Sequence, residues 1–266
     1  MNRIGVSTAC LYPMDTEAAL DELLDRGVKL VEIFFNSPSE LRPEYVRGLA
    51  SALSRNGARI TAIHPFTSGY EPYLLFSQYE RRFTDGLDLY RRYAETAAVL
   101  GAKFLIIHGD KVRSEIERPN FFERFAALCE ASKPFQVHTL LENVNAFRGE
   151  NPEFLRAFRQ ELGKDAGFVF DVKQAVRAGF SPFEVLESME GHIRHVHLSD
   201  HNRQSDCLLP LCGDFETRKL FTQLAKAGYD GDFIVEVYRG AFSQVDEILR
   251  SVKKCETEIS HLTKLV

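Results

Sequence analysis

A chain of 266 residues with 44% hydrophobic and 27% charged side chains is long enough and apolar enough to bury one large core. Its net charge of −5 argues against electrostatic capture of nucleic acid or an anionic membrane, and no apolar run approaches the length of a membrane span. The five cysteines (Cys10, Cys129, Cys207, Cys212, Cys255) are odd in number and scattered without a zinc-finger spacing. With an N-terminus that lacks a long apolar stretch, they point to a reduced, cytoplasmic protein.

No linker or low-complexity tract divides residues 1–266, which read as one domain. What recurs is strand followed by helix. Residues 4–8 are a short apolar run, and residues 15–26 a helix with Ala18, Ala19, Leu20, Leu23 and Leu24 on one face, closed by Gly27. A strand over 30–35 leads to a helix over 43–55, and a strand over 60–64 to a long aromatic-rich loop, 65–78, of the kind that more often carries function than not. The helix over 81–100 ends at Gly101, before a fourth strand over 103–108 and a helix over 119–132. Strand five covers 136–142, and Asn151 followed by Pro152 starts a helix that runs to about 162. Strand six covers 167–171 and precedes a helix interrupted near Gly179 and Pro182. Strand seven covers 193–199, with a long loop to 214 and a helix over 216–227; strand eight covers 232–238, before a last helix over 244–262. Near-continuous apolar strands between amphipathic helices indicate a parallel sheet covered by helices. Eight units in this length match a (β/α)8 TIM barrel. An open doubly wound sheet is the alternative, but no Gly-x-Gly-x-x-Gly turn follows the first strand.

In such a barrel the C-terminal ends of the strands share one face, where the active site is built. The polar residues at those ends are Glu32, His64, His108, Glu142, Asp171, His197 and Glu236. Singly, each reads more simply as a helix cap or salt-bridge partner. The last four are spaced 29, 26 and 39 residues apart, each about one strand–helix unit, and so converge from four consecutive strands. Three carboxylates that close together need a cation. An oxygen-rich set with one imidazole suits Mn2+, Mg2+, Co2+ or Zn2+. Within the stretch 193–201, His195 and His197 share a face; His197 is in register with the acids, His195 lies two residues deeper as an interior group, and His201 reads as a loop residue.

Glu142 in Leu-Leu-Glu-Asn, Asp171 in Phe-Asp-Val-Lys-Gln, His197 in His-Val-His-Leu-Ser-Asp and Glu236 in Ile-Val-Glu-Val-Tyr carry a resemblance over nearly the whole chain. The sequence resembles the sugar phosphate isomerase/epimerase group of the xylose isomerase-like TIM barrels, which also include endonuclease IV. The resemblance implies a divalent metal on those four residues, with Glu142 and Glu236 also acting as the acid/base pair. There are departures. Group members often carry Asp-x-x-His on strand six, where this chain has Gln174. The Asp-x-His pair of the third zinc of endonuclease IV is here Asp206-Cys-Leu208. His64 and His108 match two further histidines of that enzyme and, with Glu142, would hold a second metal; the favoured expectation is that they bind substrate oxygens.

The expected activity is metal-dependent isomerisation or epimerisation of a ketose or related hydroxyketone, free or phosphorylated, through α-proton abstraction and an enediolate. Lys173, Gln174, Asp200 and Arg239 flank the ligands and would recognise hydroxyls or a phosphate, though each reads equally well as a surface or salt-bridge residue. The run Tyr79-Glu-Arg-Arg82 would close over the site or simply begin a solvated helix. A dehydratase of a keto-inositol or dehydroshikimate-type substrate, an endonuclease IV-like phosphodiester hydrolase and a non-catalytic sugar-binding barrel are the alternatives. The expected partner is a small sugar or sugar phosphate, not nucleic acid or membrane, and self-association into a homo-oligomer stays open.

Overall fold

Eight parallel strands follow one another around a closed barrel in chain order. They are β1 (Ile4–Ser7), β2 (Leu30–Phe35), β3 (Arg59–Pro65), β4 (Phe104–Ile107), β5 (His138–Glu142), β6 (Phe168–Asp171), β7 (Ile193–Leu198) and β8 (Phe233–Val235). Around them lie α1 (Thr16–Asp25), α2 (Pro43–Arg55), α3 (Glu71–Leu74), α4 (Glu80–Leu100), α5 (Arg118–Ser132), α6 (Pro152–Leu162), α7 (Val172–Arg177), α8 (Pro182–Ser188), α9 (Thr217–Lys226) and α10 (Val245–Thr263). This computed structural model describes residues 4–263, so residues 1–3 and 264–266 of the expected single domain lie outside the described residues.

The two-residue period of a strand divides the core in two. Outward residues such as Val31, Ile33 and Phe35 pack against Leu20, Leu23, Leu49 and Leu53 of the helices. Inward residues form a small apolar plug of Ala62, Ile106, Leu140 and Val169 with Phe104 beside it. Two residues further along those same strands come His64, His108, Glu142 and Asp171, so the plug is the floor on which the polar layer stands. β6 is braced from outside by an aromatic cluster in which Phe158 lies edge-on to Phe125 at 4.8 Å and tilted against Phe168 at 5.3 Å, centroid to centroid. Burying each such ring is worth roughly 1.5–3 kcal/mol.

The expected caps are present. Gly101 ends α4 at φ 82°, and the Asn151 side chain accepts the N–H groups of Glu153 and Phe154 at the start of α6. The helix after β6 breaks into α7 and α8, with Gly179 at φ 79° and Pro182 opening the second piece. Three differences from expectation bear on the site. β5 starts two residues late, because Gln136 sits in a left-handed turn at φ 58°. The loop after β3 contains α3. β8 stops at Val235: Glu236 N–H still reaches Leu198 O, but thiols take the two amides beyond it, with Val237 N–H donating to Cys10 Sγ and Tyr238 N–H to Cys207 Sγ, each at 3.4 Å.

Candidate metal centre

Asp171 and His197 are direct partners across β6 and β7, so both side chains enter the barrel at one level. Glu142 is the last residue of β5, and Glu236 lies one position past β8, its N–H on Leu198 O at 3.2 Å. The four converge on His197 Nδ1, which is 3.3 Å from Glu142 Oε1, 3.3 Å from Asp171 Oδ2 and 3.6 Å from Glu236 Oε2. One imidazole nitrogen offers a single proton or a single lone pair, so three carboxylate oxygens around it cannot all be its hydrogen-bond partners. Bonds of about 2.0–2.2 Å from one ion to four donors set those donors roughly 3.3–3.6 Å apart. The donor set and its spacing therefore fit a divalent ion.

His197 is held from behind. Glu32 Oε2, in the middle of β2, lies 3.1 Å from His197 Nε2 and 2.8 Å from His195 Nε2. Beside it at the mouth stand His64 and His108, their Nε2 atoms 2.7 Å apart, with His108 Nε2 3.0 Å from Glu142 Oε2. His64, His108 and Glu142 offer donor atoms within 4.8 Å of one another, a second grouping that shares Glu142 with the first.

The charges in this buried layer hold one another. Burial alone would raise Glu32, Glu142 and Glu236, but the neighbouring histidines outweigh it; Glu32 and Glu142 sit well below the usual carboxylate range, and His197 and Lys173 bring Glu236 to about 2. Burial alone would lower His64 and His197. The Glu236 and Glu32 carboxylates override it, lifting His64 to about 10 and His197 well above its ordinary value.

Other expected site residues have different surroundings. Lys173 does not face the mouth: it is buried, and its ammonium donates to Asp171 Oδ2 and, at 3.0 Å, to Glu236 Oε1. Gln174 lies at the edge of the cluster with its side-chain carbonyl accepting Asn145 N–H at 3.2 Å. Asp200 is turned away, because its carboxylate accepts the backbone N–H groups of His201, Gly213 and Phe215 at 2.7, 3.0 and 2.8 Å and so ties the loop after β7. Arg239 is exposed and folds onto its own turn, donating to Phe242 O at 3.0 Å. Neither joins the cluster. Arg82, in the first turn of α4, stacks 3.8 Å from the Tyr73 ring.

Two positioning groups, Asn143 and Glu71, escape the sequence reading, and a third, Glu32, is expected at a strand end but lies inside β2. Asn143 accepts Asp171 N–H at 2.7 Å and donates to Asp171 O at 2.9 Å, extending the β5–β6 pairing by a side chain. Glu71 on α3 is buried and accepts the N–H groups of His108 and Gly109 at 2.8 and 2.7 Å, while Tyr90 donates to its other oxygen at 3.0 Å. Gly149 also matters: a Cβ there would meet Glu142 O at 2.7 Å, so only glycine lets the turn after β5 pass behind that ligand.

Comparison with known proteins agrees with this architecture. An uncharacterized protein of Mycobacterium leprae is 25% identical over 260 residues, covering 88% of each chain. A D-tagatose 3-epimerase-like protein superposes with a TM-score of 0.81 at 21% identity over 98% of both chains. The 3-keto-D-glucoside 4-epimerase from E. coli gives 0.76 at 17% identity, over 97% of this chain and all of that one, 100%. At these identities the structural likeness is one of fold. The family model described as xylose isomerase-like TIM barrel matches residues 20–262, and the chain belongs to that family.

Proposed function

We propose that this chain epimerises or isomerises a ketose or related hydroxyketone by moving the proton next to the carbonyl, with a divalent ion held by Glu142, Asp171, His197 and Glu236. The observation that carries this reading is the placement of Glu142 and Glu236. They reach the His197 ring from the two outer strands of the four, β5 and β8, at 3.3 and 3.6 Å. A substrate lying over that ring presents its two faces to two carboxylates, as removal and return of a proton require. Both carboxylates are held ionised by their neighbours, so either can accept the α-proton, and the one that returns a proton to the substrate must first have taken one up. A bound divalent ion supplies Lewis acidity toward the carbonyl and the adjacent hydroxyl. His64 and His108 hold substrate oxygens at the mouth, and the Gln174 NH2 group offers a further donor. The fold likeness to the 3-keto-D-glucoside 4-epimerase and the D-tagatose 3-epimerase-like protein supports a sugar as substrate.

The test is incubation with Mn2+, Mg2+, Co2+ or Zn2+ and a panel of ketoses and ketose phosphates in D2O. Deuterium at the α-carbon of at least one sugar is expected; none with any pairing overturns the reading.

Phosphodiester hydrolysis is a second reading, favoured by the grouping of His64, His108 and Glu142 at a place where a second ion fits. Against it, Asp206 pairs with Arg177 at 3.3 Å and Leu208 stands where a third histidine would be needed. Nicking of a duplex with an abasic site would establish it. Among the described residues no helix is long and apolar enough to cross a membrane. The five free cysteines support a reducing compartment, which we read as the cytoplasm.

A further inference from the structure

The proposed metal site already contains a cation. Lys173 lies two residues past Asp171, in the first turn of α7, and its side chain turns back into the barrel, where the residue is 2% exposed. Its ammonium donates to Asp171 Oδ2 and, at 3.0 Å, to Glu236 Oε1. Glu236 keeps its other oxygen, Oε2, without a hydrogen bond. Asp171 keeps none, because Oδ1 accepts Gln174 N–H at 2.9 Å and so closes the first turn of α7. The Asp171 oxygen that faces His197 Nδ1 at 3.3 Å is the same atom that holds the ammonium.

We propose that Lys173 is a resident counter-cation that contends with the divalent ion for Asp171 Oδ2. This rests on the reading of Glu142, Asp171, His197 and Glu236 as metal ligands. Two consequences follow from charge. The ammonium keeps three crowded carboxylates together when no ion is present, since unpaired buried carboxylates repel. It also opposes an incoming divalent ion, because like charges a few ångströms apart in a buried site repel strongly. The chain therefore holds its metal more weakly than its four donors alone would, and stays folded without it. A lysine serving a substrate phosphate would keep its ammonium at the mouth; this one spends two of its three donors on the ligands themselves.

Titration calorimetry with Mn2+ alone, on chelator-stripped wild type, Lys173→Met and Lys173→Gln, tests this, with a melting curve of each stripped protein. Both variants should bind Mn2+ about tenfold or more tightly than wild type, a factor that equals about 1.4 kcal/mol. Their stripped forms should melt below the stripped wild type, and Mn2+ should restore the difference. Lys173→Gln keeps a donor and most of the length without the charge, which separates charge from packing. Equal or weaker Mn2+ binding by the folded variants overturns the proposal and leaves the ligand assignment intact. No Mn2+ binding by any of the three proteins overturns both. Failure of both variants to fold even in Mn2+ also counts against it, since the ion should replace the lost cation.

Discussion

Glu32 Oε2 lies 3.1 Å from Nε2 of His197, on the opposite side of the ring from the carboxylates gathered at Nδ1. A carboxylate behind a metal-binding imidazole fixes its tautomer and orientation, and loss of such a partner weakens metal binding about 10- to 100-fold. Glu32→Gln keeps the shape and removes the charge. Its Mn2+ affinity, measured by calorimetry, should drop within that range; an unchanged affinity would mean that Glu32 only fills space.

Glu236→Gln retains a carbonyl oxygen near the cluster but cannot accept the α-proton. Turnover should fall about a hundred- to ten-thousand-fold, the usual worth of a positioned acid or base. Metal content, read by mass spectrometry of the purified variant, should persist. Full turnover in a variant that still carries metal would remove Glu236 from the proton transfer.

The stripped protein should have a stability optimum on the acid side of neutrality. His64 titrates at about 10 in the fold against an ordinary 6.5, so its contribution is complete below 6.5 and lost as pH climbs toward 10. Glu236 titrates at about 2 against 4.5, so its contribution is complete above 4.5 and lost as pH falls toward 2. Urea midpoints in chelator should therefore be highest between 4.5 and 6.5 and decline on both sides. A midpoint that keeps rising into alkaline pH contradicts the assigned histidine charge.

Asn143→Ala removes both side-chain bonds to the buried Asp171 backbone, at 2.7 and 2.9 Å, and takes the partner from its N–H, while its C=O, at the cap of α7, still meets the first turn of that helix. The cost should be about 1–3 kcal/mol, the penalty of one unsatisfied buried group. Chemical unfolding reads this directly. A loss under about 0.5 kcal/mol, the range of an ordinary surface substitution, would show that water or a shifted chain replaces the clamp.

The barrel and the convergence of its four central residues are legible in the sequence because both follow from local periods. Each strand's inward residues alternate, and each unit repeats at about the same length, so Glu142, Asp171, His197 and Glu236 fall into one layer. Glu32 is not legible as their neighbour. It pairs with Ala62, one layer below His64, and the layer that each strand contributes depends on the stagger of the closed barrel. Residues just past a strand are harder still, since turn geometry aims them. Asp200 turns to its loop because three amides of that loop converge on it. Lys173 turns inward because two acids wait there.

The carboxylate of Glu71 gives the rim of the barrel a mechanical linkage. It belongs to the segment after β3, yet it grips the chain just beyond β4, at the N–H groups of His108 and Gly109. The segment after β3 and the imidazole at the end of β4 are thereby one part with two ends. Pulling on the first moves the second, so residues 66–75 act as the handle of His108 before they act as any kind of cover.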